Sequence, residues 1–192
     1  MTTAEPADDQ GLEDLAGLAA LVRRLAAEDA TATVAPSPEA RSRLAAAIVT
    51  EGRFERFAPA VAAMADVSEA RARAWLDGVW GDAPLWERAA PGARAWWVEG
   101  GPRARNALRG FVHAPSGGGL PHHAHLGAER VLVIQGNARV STGERIHAGD
   151  LLVSEAGHAH ALEVVAGGPD LLIFTVAYEG LDFDGLVARP RS

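Results

Sequence analysis

With 192 residues, 48% of them hydrophobic, the chain has room for one domain of ordinary size and a smaller module, with enough apolar material for a real core. It has no Cys, and its 18 basic residues are all Arg. That excludes disulfides, thiolate ligands, a cysteine nucleophile, Schiff-base chemistry and a P-loop lysine. A formal charge of −7 with a pI near 5.5 leaves no electrostatic footprint for nucleic acid, and a basic partner would suit this surface better.

The first ten residues, MTTAEPADDQ, are acidic and small and read as a disordered tail. They lack the basic start and apolar core of a signal peptide, and no apolar run approaches the ~20 residues of a membrane span. A soluble, cytoplasmic protein without membrane contact is expected. From Leu12 to Ala30 the spacing of Leu15, Leu18, Ala19, Val22 and Leu25 predicts an amphipathic helix. The stretch ATATVAPSP then reads as a linker. Its last Ser37-Pro38 begins another helix, with Ser37 as N-cap, Pro38 in the first turn and Gly52 at the end. Helical spacing resumes at Phe54, Phe57, Val61 and Met64, and again after the cap Ser68 at Ala72, Trp75, Leu76, Val79 and Trp80. Residues 1–36 are thus assigned to a tail and helix, and 37–80 to an α-helical module. The segment FAPAVAAMADVSEARARAWLDG has the look of a helix-turn-helix. Over residues 37–80, however, six Arg face six acidic residues, so an amphipathic pair packed on a neighbour is the stronger reading and nucleic acid is not the expected partner.

From residue 81 onwards the texture changes to short apolar runs between Gly and Pro: ARAWWVEG, LRGFVHA, RVLVIQG, NARVSTGERI, DLLVSE, HALEVVAGG and DLLIFTVAYEG. Such spacing predicts a mainly β sandwich or barrel over 81–192, with turns at 141–143 and 167–169. In RVLVI, Val131 and Val133 face one way and Leu132 and Ile134 the other. Both faces are apolar, so either the helices or a second subunit must cover the outside, and a homodimer is expected. The five tryptophans are simplest as core and interface residues.

The chemistry sits in PSGGGLPHHAHLGAERVLVIQG and, thirteen residues after its last glycine, GDLLVSEAGHAH. Side chains alternate along a strand, so His123 and His125 point the same way, and Glu129 shares their parity once the strand resumes. His160, on a later strand, can reach the same point from the far side of a barrel. Three imidazoles and a carboxylate suit one divalent ion per chain, with positions left for water or substrate. Zinc is the first choice, and iron, manganese, nickel or copper fit as well. All seven histidines lie between His113 and His160. His122 would face away from His125. His158 shares a face with His160, and His113 lies on the strand LRGFVHA; both are candidates for a supporting or alternative ligand. His147, in a polar turn, is expected to be solvated.

These residues reproduce the first cupin motif at every fixed position: Gly117, His123, His125, Glu129 and Gly136. Gly149, Gly157 and His160 keep the second, which departs at Glu155 in place of Pro and Val164 in place of Asn. Residues 81–183 therefore resemble a cupin, a jelly-roll or double-stranded β-helix barrel. More narrowly they are similar to the cupin domain of ChrR-type anti-sigma factors, through Trp86, Gly100-Gly101-Pro102, Arg109-Gly110-Phe111-Val112 and Leu120-Pro121-His122. The resemblance implies an anti-sigma module ahead of the barrel, a sigma factor bound through residues 1–80, and a metal tied to its release under oxidative stress. The HxxxCxxC zinc motif of that family's N-terminal domain is missing, since no Cys and no His precedes His113. The alternatives are a cupin dioxygenase acting on a small molecule, with Glu129 as base, and a small-ligand-binding cupin without turnover.

Overall fold

A computed structural model describes residues 37–39, 52–81, 86–90 and 92–190. The expected helix over Leu12–Ala30 and most of the one beginning at Ser37 lie outside the described residues; Pro38 and Glu39 are helical. Residues 48–192 make one compact unit. Within it a 3-10 turn, Glu55–Phe57, leads into helices α1 (Ala58–Ala65) and α2 (Glu69–Gly78). Asp66 ends α1 in the left-handed conformation, φ 58, and the Ser68 hydroxyl caps α2 by accepting from the Arg71 N–H.

Twelve strands follow: β1 (Glu87–Ala90), β2 (Ala93–Trp97), β3 (Ala107–Ala114), β4 (Gly119–His125), β5 (Glu129–Gln135), β6 (Asn137–Val140), β7 (Arg145–His147), β8 (Leu151–Ser154), β9 (Ala159–Val164), β10 (Leu171–Tyr178), β11 (Leu181–Phe183) and β12 (Leu186–Ala188). They pair antiparallel in two sheets of order β1-β2-β3-β10-β5-β8 and β12-β11-β4-β9-β6-β7, face to face. This is the jelly-roll sandwich the sequence predicts, preceded by a helical segment. No described helix is long and apolar enough to cross a membrane.

The first sheet is apolar on both faces because it has cores on both sides. Val131, Val133, Ile173 and Val112 point into the sandwich. Leu132, Ile134, Phe111, Phe174 and Val176 point outward, onto Phe57, Val61, Met64 and Leu76 of the helices. Trp75 stacks on Phe174 at 6.5 Å between ring centroids, and Trp96 on Phe111 at 5.4 Å. The outward face of β5, from which a second subunit was expected, is covered by the chain's own helices. A clasp holds that layer in place: Asp66 accepts from the backbone N–H of Arg103 at 2.9 Å and pairs with its guanidinium at 2.6 Å. The backbone passes so close here that a Cβ on Gly101 would stand 2.0 Å from the Asp66 carbonyl oxygen, so only glycine fits. On α2 the arginines are engaged, Arg73 with Glu55 at 3.0 Å and Arg71 with Glu99 at 3.6 Å, and they present no basic stripe.

Candidate metal centre

His123 and His125 leave β4 toward the sandwich interior, and His160 does so from β9. Their strands are neighbours in the second sheet, with His123 directly opposite His160. Glu129 comes from β5 of the facing sheet. The sequence reading put three ligands on one wall and His160 across from them. In the folded chain it is the carboxylate that crosses the sandwich. A bulge between Leu120 and His123 sets the facing of β4: Leu120 pairs with Leu162 and His123 with His160, so an extra residue beside Pro121 shifts the parity and turns both Leu120 and His123 inward. Gly136, which ends the first motif, has φ 84, and a Cβ there would lie 2.6 Å from the Asp170 carbonyl oxygen.

One donor atom from each of His123, His125, Glu129 and His160 lies within 4.8 Å of the others, and all four residues are buried. Donors on one ion at about 2.0–2.2 Å stand no more than about 4.4 Å apart, so the widest pair needs to close by about 0.4 Å. His125 Nε2 and Glu129 Oε2 are 3.0 Å apart yet poorly aligned, and both remain buried without a hydrogen-bond partner, as does His125 Nδ1. Orphaned lone pairs of this kind are what a cation would satisfy. The other ends of the ligands are already held. His123 Nδ1 lies 2.9 Å from the Pro121 carbonyl, which only accepts, so Nδ1 carries the proton and Nε2 is free to ligate. The Thr175 hydroxyl donates to Glu129 Oε1 at 2.8 Å, leaving Oε2 free. Sequence reasoning missed Thr175, although a lone hydroxyl in the apolar run DLLIFTVAYEG was a usable signal.

The electrostatics agree with a cation site. Desolvation, then the neighbouring His123 and His125, push the His160 ring down to about 4, and desolvation lowers His123 too. Burial is the largest single influence on Glu129 and would raise it, but the His125 ring and the Thr175 hydroxyl outweigh it and hold the carboxyl below its ordinary value. His123 and His160 are therefore biased toward the neutral imidazole and Glu129 toward the carboxylate, the forms in which a metal binds them.

The remaining histidines separate. His122 is exposed, facing away from the cluster. His158 is exposed at the rim, its ring 5.3 Å from that of His160 and 5.7 Å from that of His125, and its carbonyl accepts from the His125 N–H. His147 is exposed on β7. His113 corrects the expectation that it supports the centre. It shares the outward parity of Phe111, donates from Nε2 to Asp170 at 3.0 Å and packs edge-on against Trp80. Because LRGFVHA is apolar on both faces, alternation alone did not say which face was inside.

Residues 85–178 match the family model for the ChrR cupin-like domain. The barrel has a cupin-like fold. Among solved structures, an RmlC-like cupin from Ralstonia eutropha is 25% identical, with a TM-score of 0.49, over 57% of this chain and 76% of that one. The anti-sigma factor ChrR of Rhodobacter sphaeroides, solved in complex with SigE, is 28% identical with a TM-score of 0.43, and the match spans about half of either chain, 48%. An acetylacetone dioxygenase from Acinetobacter johnsonii is 17% identical, with a TM-score of 0.42, over 51% of this chain and 70% of that one. No curated protein sequence matches the chain.

Proposed function

We propose that this cupin domain binds one divalent ion, zinc in the first instance, through His123, His125, Glu129 and His160, and that the chain is a ChrR-like regulatory sensor of oxidative stress. A bound ion would polarise whatever occupies its open positions. The chain's residues supply the rest: Pro121 and Thr175 orient two ligands, and burial disfavours the protonated forms of His123 and His160. The observation that carries the regulatory reading is where Glu129 and Thr175 stand. They lie on β5 and β10, whose opposite faces, at Leu132, Ile134, Phe174 and Val176, carry the helices. A change in ligation therefore acts on the two strands that seat the helical layer. The domain-level match to the ChrR cupin-like family points the same way. On this reading residues 1–80 carry a zinc-free surface for a sigma factor in the cytoplasm. A homodimer is also proposed. Its support now lies at edge strand β8, where Leu151 and Val153 are 55% and 61% exposed, rather than at β5.

A second reading, a cupin dioxygenase, has one observation in its favour: a cavity of about 50 Å³ opens onto His123, Glu129 and His160. Against Glu129 as its base, the His125 ring and the Thr175 hydroxyl lower the carboxylate's affinity for a proton, which makes it a weak base. Native full-length protein decides between them. Stoichiometric zinc and co-purification of a sigma factor, released by peroxide or a chelator, is the expected result. A redox-active metal, O₂ uptake on a diketone or thiol panel and no sigma factor would overturn the regulatory reading.

A further inference from the structure

We infer that Phe183 sets the size of the ligand this centre accepts, and that the ligand is a small molecule with its polar donor atoms at one end and an uncharged, apolar remainder. The two sheets meet the solvent along two seams, between edge strands β1 and β12 and between edge strands β8 and β7. The cluster has a space on each side. Toward β8 lies an open groove of about 460 Å³, with Thr142, Glu144, Asp150 and His158 on its walls. Toward the other seam lies the cavity of about 50 Å³, where Ala89 and Ala90 of β1 and Ala188 of β12 leave room between the sheets. His160 borders both.

The smaller chamber is selective by composition. Apart from the ligands themselves, its polar side-chain groups among the described residues are the Thr175 hydroxyl, already donated to Glu129, and the indole N–H of Trp97. Away from the metal end the walls thus offer no charged side chain and one indole donor, so a charge placed deeper would be desolvated without compensation. The volume admits roughly four water-sized units. Phe183 forms a wall beside the centre, its ring centroid 5.2 Å from that of His123. It stands on a hairpin closed by Asp184-Gly185, both at positive φ, 51 and 94, with the Gly185 N–H donating to Asp182. That turn pins the strand, so the ring is held as a fixed wall. His123 keeps its own anchor at the Pro121 carbonyl, so trimming Phe183 enlarges the chamber without releasing the ligand.

The donor end of this inference rests on the metal reading above; the apolar wall does not. Full-length protein and the Phe183→Leu and Phe183→Ala variants are loaded with Co(II), whose visible absorption reports ligation, and titrated with straight-chain hydroxamic acids from aceto- to hexanohydroxamic acid. Wild type is expected to bind the shortest and reject the longest. Phe183→Ala is expected to admit the longer chains, gaining about fourfold in affinity per methylene newly buried, with Phe183→Leu between the two. In parallel, the melting temperature of each metal-free protein is measured with and without benzene, and only the variants are expected to be stabilised. The same chain-length profile in all three proteins, with no benzene effect, overturns the assignment of Phe183. No Co(II) bound, with benzene still stabilising the variants, upholds the wall and overturns the donor end together with the proposed metal function.

Discussion

Replacing Thr175 by valine removes one hydroxyl and almost no volume, and so isolates what the Thr175–Glu129 hydrogen bond contributes. Both residues are buried, 3% and 4% exposed, and water does not readily take the hydroxyl's place. A hydrogen bond to a charged group is worth about 1.5–3 kcal/mol, and leaving Glu129 Oε1 without its donor costs the metal-free protein a stability of that order. The carboxyl loses a group that favours its ionised form, so its pKa rises. The effect on metal affinity follows from that and from the freed side-chain torsion, at about 10–100-fold, the usual range for the partner of a ligand. The loss should grow as pH falls, because protons compete better for a carboxylate that no hydroxyl stabilises. Affinity is measured by competition with a chromophoric chelator at several pH values, and stability by thermal melting of the apo form. Thr175→Ser, which restores the hydroxyl, should recover most of the affinity. An affinity for Thr175→Val within about twofold of wild type, with the fold intact, would show that Glu129 is not positioned this way or is not a ligand.

His125→Ala should abolish stoichiometric metal binding by elemental analysis, since it deletes one ligand and the buried neighbour of Glu129 Oε2; a full equivalent of tightly held metal would refute the ligand register. In the metal-free protein, His160 binds its proton in the unfolded chain near 6.5 but in the folded one only near about 4. Its contribution to stability is therefore fully present above 6.5 and is lost as pH falls from there to about 4, a window that His160→Gln should remove from the pH dependence of chemical denaturation. If the homodimer pairs along β8, Val153→Arg should give a monomer by light scattering at micromolar concentration with little change in melting temperature, whereas an unchanged dimer would place the interface elsewhere.

The four residues of the buried cluster were legible in the sequence because their information is local. Alternation along one strand puts His123 and His125 on one side, the short loop returns the chain at Glu129, and the motif glycines mark where the backbone must turn or pass another strand. The helices at 58–65 and 69–78 were legible for the same reason, from a cap and a repeat within one segment. The hairpin at 181–188 escaped notice although Asp184-Gly185 is a strong turn signal, because its strands are only three residues long and show little alternation. Other features depended on which strands pair, and no window of sequence holds that. Strand pairing placed His160 beside His123 and Glu129 opposite them, and it set Thr175 against Glu129 across 46 residues of chain. The bulge at Pro121 broke a parity rule that otherwise holds. In β3 and β5, where both faces are apolar, alternation had no polar side by which to orient itself. Only packing against the helices decided that His113 and Leu132 face outward, because burial on a doubly covered sheet is settled by what lies above it and not by the strand's own pattern.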